Sequence, residues 1–149
     1  MSIDELCNRE VVVVERDEPV REAVRLMRRH HIGDVIVVEM REGHRRPVGI
    51  LTDRDIVIEL LAADLDLDAV SIGDAMSFDL VTVRESDDLL ETIARMRERG
   101  VRRVPVVDDA GGLVGILAVD DILELVAEQL SGLVSLISRE RTREQQARP

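Results

Sequence analysis

The chain has 149 residues, 45% of them hydrophobic, and a formal net charge of −11. That length suits a domain of ordinary size burying roughly 68–70% of its unfolded surface, and the apolar content excludes wholesale disorder. An acidic chain with aromatics at 1% is a poor partner for nucleic acid, since phosphates are repelled and there is almost no ring for a base to stack on.

All 20 basic residues are arginine, the better bidentate phosphate ligand. The single cysteine, Cys7, excludes an intrachain disulfide, and His30, His31 and His44 lack ligand spacing, so no metal site is expected. The opening MSIDELCNRE has neither a basic nor an apolar leader region, and no apolar run approaches the roughly 20 residues of a membrane span. No signal peptide, no membrane contact and a cytoplasmic home are the expectations.

In chain order, VVVV at 11–14 predicts an extended run. Val20, Ala23, Val24 and Met27 fall at helical spacing within a helix over Val20–His30. A buried strand follows at Val35–Val38, then EMREGHRRP as a surface loop and GIL as a short strand. A second helix starts at Asp53–Asp55, and LDLDAV forms a linker. The pattern then recurs: LVTV at 80–83, a helix over Leu89–Arg99 with Leu89, Ile93 and Met96 inward, a strand at Val104–Val107, GIL again, and a helix from Asp120–Asp121.

This is an internal repeat. Ser2–Val14 aligns with Ser71–Val83, VIVV (Val35–Val38) with VPVV (Val104–Val107), and GILTDRDI (Gly49–Ile56) with GILAVDDI (Gly115–Ile122). The first copy has the longer loop, EMREGHRRP against DDAGGL, as a surface connection tolerates. Two β-α-β-β-α units are expected, near residues 2–63 and 71–128, in an α+β fold, with a C-terminal extension over 129–149. One such unit has a single apolar sheet face and covers it by packing against the other.

Within GILTDRDI, Thr52 followed by Asp55 is nearly a capping box, with Asp in place of Glu or Gln. The same turn offers free N–H groups to an anion, and Asp55 could accept from vicinal hydroxyls such as a ribose. In the second copy Ala118 cannot cap, yet Asp121 persists beside Asp120, a modest hint of a further task for that carboxylate.

G-I-L-T-D-R-D, V-P-V-V-D and the tandem units over residues 2–128 together resemble a pair of cystathionine-β-synthase (CBS) domains, the Bateman module. The resemblance implies a pseudo-twofold pair with two clefts between the copies. It also implies an adenosine-containing ligand (AMP, ADP, ATP or S-adenosylmethionine), and a regulatory output to a separate effector protein. One cleft would use Thr52, Arg54 and Asp55 with Leu80, Val81, Val101 and Arg102. The other would use Asp121, Arg102 and Arg103 with Val11, Val12, Ile32 and Gly33. Several positions depart from the pattern. Ile36 stands where the family has Pro, Asp34 would repel a phosphate, and Ala118 replaces Thr, so two unequal clefts are expected.

Leu123, Val126, Leu130, Leu133 and Ile137 form a heptad-like seam, and Ser138–Pro149 is polar and expected to fray. The seam suits either the module's own core or a homodimer. Two readings compete: a nucleotide-sensing module, and a purely structural dimerisation module with empty clefts. No nucleophile–base set supports an enzyme.

Overall fold

The computed structural model describes residues 2–147, in two compact units, one through Leu117 and one from Ala118 onward. In the first, Ile3–Glu5 forms a 3-10 turn, followed by β1 (Val13–Glu15), α1 (Val20–His30), β2 (Asp34–Arg41) and β3 (His44–Thr52). Next are α2 (Asp53–Asp55), a π-helical segment (Ile56–Leu61) that continues it, and α3 (Ile72–Ala75). The second copy supplies β4 (Val83–Arg84), α4 (Leu89–Arg99), β5 (Arg103–Val107) and β6 (Leu113–Ala118). Two three-stranded sheets result, ordered β1-β2-β3 and β4-β5-β6. The fold is α+β, as the alternating pattern implies.

Both long helices occupy the expected spans. Val20, Ala23 and Met27 are buried on α1, and Leu89, Thr92 and Met96 on α4. Thr92 stands where the first copy has Ala23, and its hydroxyl donates to the Asp88 carbonyl at 2.9 Å, so burial leaves nothing unsatisfied. Each helix ends on a left-handed residue, Gly100 (φ 65°) in one and His31 (φ 53°) in the other. Glycine adopts that conformation without a Cβ penalty; histidine does not.

Three expectations about the sheets change. First, EMREGHRRP is not a loop. β2 and β3 run on as an antiparallel ribbon to Arg41↔His44, closed by Glu42 (φ 51°) and Gly43 (φ 79°). Positive φ at both central residues is the pattern of a two-residue hairpin turn whose twist matches the strands. Pro47 lies beside an irregularity in the register, the kind of place where a sheet tolerates a residue without an N–H. Second, β2 has two apolar faces. Val35 and Val37 join the core beneath α1, whereas Ile36 and Val38 pack with Leu113, Val11, Val13, Ile50 and Ile116 between the sheets. Period-two alternation sends an unbroken VIVV run both ways. Third, the leading strands are short. β4 has only two residues because Pro105, unlike Ile36, has no N–H; Ile36 donates to the Val12 carbonyl at 3.2 Å.

The N-terminal segment of each copy pairs with the other copy. Ile3 and Asp4 donate to the Asp87 and Glu85 carbonyls, as Ile72 and Gly73 donate to Glu18 and Arg16. Asn8 exchanges two main-chain bonds with Ile116 (2.9 and 2.8 Å), and Ser77 exchanges two with Ile50 (2.9 and 3.2 Å). Ile72 and Met76 accordingly sit in the core under α1. LDLDAV is anchored too: Leu67 is buried, and the Leu67 and Val70 carbonyls accept from Arg21 and Val20. They satisfy first-turn amides of α1 that Pro19, with no side-chain acceptor, cannot.

The unit from Ala118 is one helix, α5 (Val119–Ala147). The polar stretch expected to fray is helical as far as the structure is described. Arg and Glu residues there are good helix formers.

The repeat's first glycine is explained by the exchanged segments. A Cβ on Gly49 would stand 2.9 Å from the Ser77 carbonyl oxygen, whereas Gly132 on α5 has nothing within 4 Å. Gly49→Ala should lower the unfolding free energy by about 1–3 kcal/mol through overpacking. Gly132→Ala should raise it by up to about 1 kcal/mol through helix propensity. Urea titration of both variants distinguishes the two signs.

Candidate functional site

At the end of β3 the chain turns into α2. Thr52 Oγ1 accepts from the Asp55 N–H at 3.1 Å, and the Asp55 carboxylate accepts from the Thr52 N–H at 3.3 Å, a complete capping box. Asp is long enough to close it. In α5, the Asp121 carboxylate accepts from the Ala118 N–H at 3.3 Å, the half of the box that requires no threonine. The persistence of Asp121 therefore has a local structural reason.

Beside the Thr52 turn lies a cleft of about 250 Å³ lined by Asp34, Ile50, Thr52, Asp79, Leu80, Val81, Val101, Arg102 and Arg103. Both copies build it: β2 and β3 form one side, while the segment before β4 and the α4–β5 connection form the other. Of the residues expected around Thr52, the structure brings Leu80, Val81, Val101 and Arg102 into this wall. Arg54 and Asp55 do not line it. Arg103, expected in the other cleft, lies here. Asp34, Ile50 and Asp79 are additional walls. Asp34 and Ile50 enter the wall through the strand register, Asp34 opposite Thr52 and Ile50 opposite Ile36. Asp79, ion-paired to Arg99, carried no signal.

The other residues expected in the second cleft lie as follows. Val11 packs between the sheets, and Val12 and Ile32 pack against the core under α1. The Gly33 carbonyl accepts from the Asp53 N–H at 2.9 Å. Asp121 belongs to the helical unit.

Arg103 Nη1 stands 3.0 Å from Asp34 Oδ2, and the Asp34 side chain is only 12% exposed. Burial pushes the Asp34 carboxyl above its ordinary value; Arg103 opposes that rise and nearby Asp53 adds to it. An acid whose folded pKa is raised binds its proton more readily folded than unfolded. Its contribution to stability is therefore greatest at low pH and declines as pH rises from 3.8 through the raised folded value. Asp34→Asn should gain stability relative to wild type across that window, as measured by urea unfolding at a series of pH values. A flat difference would mean that Arg103 fully offsets the burial.

Among the described residues no group of three or more His, Cys, Asp or Glu could hold a metal ion, and no helix is long and apolar enough to cross a membrane.

A family model described as CBS domain matches residues 3–62 and 72–128. The chain is 36% identical over 125 residues to an uncharacterized protein of Methanopyrus kandleri, covering 84% of this chain but only 62% of the relative. It is 35% identical over 124 residues to hypoxic response protein 1 of Mycobacterium tuberculosis, covering 83% of this chain and 84% of that one. The crystal structure of Hypoxic Response Protein I, with two coordinated zinc ions, superposes with a TM-score of 0.73 at 34% identity, over 83% of this chain and 98% of the other. The cytosolic domain of the Mg2+ channel MgtE in complex with ATP superposes with a TM-score of 0.67 at 31% identity, over 80% of this chain and 46% of the other. With both repeats matched and the paired architecture shared, the chain belongs to the CBS domain family and carries two copies of the domain.

Proposed function

We propose that the chain is a regulatory sensor that binds an adenosine-containing ligand in the cleft beside Thr52 and reports its occupancy to a separate effector protein. The observation that carries this reading is a cleft built by both copies at the strand-to-helix turn T-D-R-D, combining apolar walls, a hydroxyl and two arginines. The likeness to a cytosolic domain solved with ATP supports it. The role is regulatory rather than catalytic, and AMP, ADP, ATP and S-adenosylmethionine are the candidate ligands.

The roles follow from the chemistry. Ile50, Leu80 and Val81 offer apolar surface to a purine. The Val81 carbonyl receives no bond from Pro105, leaving an acceptor at the rim for an exocyclic amine. Thr52 still has its hydroxyl proton to donate, because Oγ1 only accepts within the box. Asp55, which follows the cleft wall at Thr52 without lining it, holds the Thr52 amide through Oδ2; its Oδ1 is the acceptor left for a ribose hydroxyl that extends past Thr52. Arg102 and Arg103 face the phosphate end, where Asp34 competes for Arg103. The volume lies just below the usual range of roughly 300–1,000 Å³, so the cleft suits a nucleoside with its phosphates towards the mouth.

Ligand at one hundred times its Kd adds about 2.7 kcal/mol, which should raise Tm by roughly 5–11 °C at this size. Thermal melts with AMP, ADP, ATP and S-adenosylmethionine test this. Absence of any shift at millimolar concentration favours the structural reading with empty clefts. Asp55→Ala should weaken binding more than Thr52→Ala in titration calorimetry, because a charged acceptor contributes about 1.5–3 kcal/mol and a neutral hydroxyl roughly 1.

We also infer a homodimer through α5. Leu123, Leu130, Leu133, Val134 and Ile137 are exposed on a helix that α-helical rise makes roughly 43 Å long. Its first half carries Asp120, Asp121, Glu124 and Glu128 and no basic residue; its second carries Arg139, Arg141 and Arg143 with Glu140 and Glu144. An antiparallel pair would set each acidic half against the half that holds the three arginines, along an apolar seam. Light scattering should give twice the chain mass of 16.7 kDa. Leu130→Glu with Leu133→Glu should give monomer, since the seam would hold unpaired carboxylates. A folded dimer of the double variant would place the interface elsewhere, around Ile56–Leu60 for instance.

A further inference from the structure

A second cavity lies apart from the Thr52 cleft. It has a volume of about 660 Å³, and its lining includes Arg46, Arg84, Asp87, Arg95 and Asp108. Arg46 reaches it on the β2–β3 ribbon, the part of the first copy that the second lacks. Its side chain lies over the β5–β6 turn, where a Cβ on Gly111 would meet the guanidinium at 3.6 Å. Arg84 comes from β4 and Arg95 from α4.

Asp109 also lines the cavity, and the other two carboxylates are already engaged. Asp108 Oδ1 accepts from the Ala110 and Gly112 N–H groups at 2.9 Å each, holding the turn. Asp87 Oδ2 accepts from the Arg84 main-chain N–H at 2.9 Å and stands 3.5 Å from Arg95 Nη1. Arg95 also donates to the Thr82 carbonyl at 2.9 Å. Three guanidiniums and three carboxylates line the cavity, yet one guanidinium donor is left unmatched. Among the described residues Arg46 Nε is buried with no hydrogen-bond partner, and neither Arg46 nor Arg84 makes an ion pair. A buried guanidinium donor left unmatched costs free energy that a bound acceptor recovers.

Repeat symmetry argues that the arginines are not there for folding. The first copy has Glu15 where the second has Arg84, and Leu26 where it has Arg95. The same strand and helix therefore form without them.

We propose that this cavity is an oxyanion site for a small phosphate-bearing ligand, gripped by Arg46 and Arg84 with Arg95 at its edge. Planar guanidiniums from a strand ribbon of one copy and a strand of the other match phosphate oxygens bidentately. The site does not rest on occupancy of the Thr52 cleft. It would also fix the ribbon of the first copy to the turn of the second.

Titration calorimetry with inorganic pyrophosphate on the full chain tests it. Wild type should bind, more weakly as salt rises. Arg84→Ala, a change at an exposed side chain, and Arg46→Ala should each reduce affinity about tenfold or more, with Arg84→Lys in between. Circular dichroism melts identify any variant that has lost its fold. Were Arg46→Ala to unfold, Arg84→Ala alone would decide the outcome. No pyrophosphate binding to wild type, unchanged affinity in Arg84→Ala, or a loss caused instead by Arg103→Ala would overturn the proposal; the last would place the anion in the Thr52 cleft. Loss of nucleotide binding with retained pyrophosphate binding would sink the sensor reading and leave this one standing.

Discussion

Everything in the first unit depends on an exchange of short N-terminal segments between the two copies. Asn8 with Ile116, and Ser77 with Ile50, each form a two-bond bridge that adds a partner to the edge of the other copy's sheet. The backbones can approach because Gly49 and Gly115 carry no side chain. A Cβ there would meet the Ser77 or Asn8 carbonyl oxygen at 2.9 or 3.0 Å. The first copy does not complete its own core, since Ile72 and Met76 of the second fill the core under α1. The unit of sequence and the unit of packing are therefore different objects. The bridges also cover edges that would otherwise present unpaired main-chain groups.

The Thr52 cleft is a consequence of that exchange. The Ile50–Ser77 bridge brings the chain just before Asp79–Val81 alongside β3, so that an apolar wall from the second copy faces the Thr52 turn of the first. Pro105 then shortens β4 and leaves the Val81 carbonyl without the bond that Ile36 gives Val12. The two copies are alike in sequence and unlike in chemistry, because a single proline and the pair Gly33–Asp34 against Arg102–Arg103 change which main-chain and charged groups are spoken for. Asp34 and Arg103 stand at symmetry-related positions and end up as partners across the cleft.

The inserted ribbon shows how a local extension acquires a distant role. Three extra residues lengthen a hairpin, and the hairpin carries Arg46 to the far copy, where it joins Arg84 and Arg95 around one cavity. A chain with net charge −11 places these guanidiniums where two of the three nearby carboxylates, Asp87 and Asp108, are already tied to main-chain amides. Local balance, rather than the overall charge, governs what such a cavity attracts.

Residues Val20–His30 and Leu89–Arg99 were legible as helices because apolar spacing at 3.6 residues is a local signal that packing reinforced. The repeat and the T-D-R-D capping box were legible for the same reason: each is written within a few residues of contiguous chain. The second apolar face of β2, the ribbon at 39–47 and the membership of the Thr52 cleft were not. VIVV reads as one buried strand whichever neighbours cover it, and Arg-Glu-Gly-His is as good a loop as a turn until Glu42 takes a positive φ. The sequence alone determined which elements form and that they form twice. Which copy's arm each sheet accepts, which arginine meets Asp34, and which carboxylates are left unengaged were decided only by tertiary structure, because those outcomes depend on contacts between residues far apart in the chain.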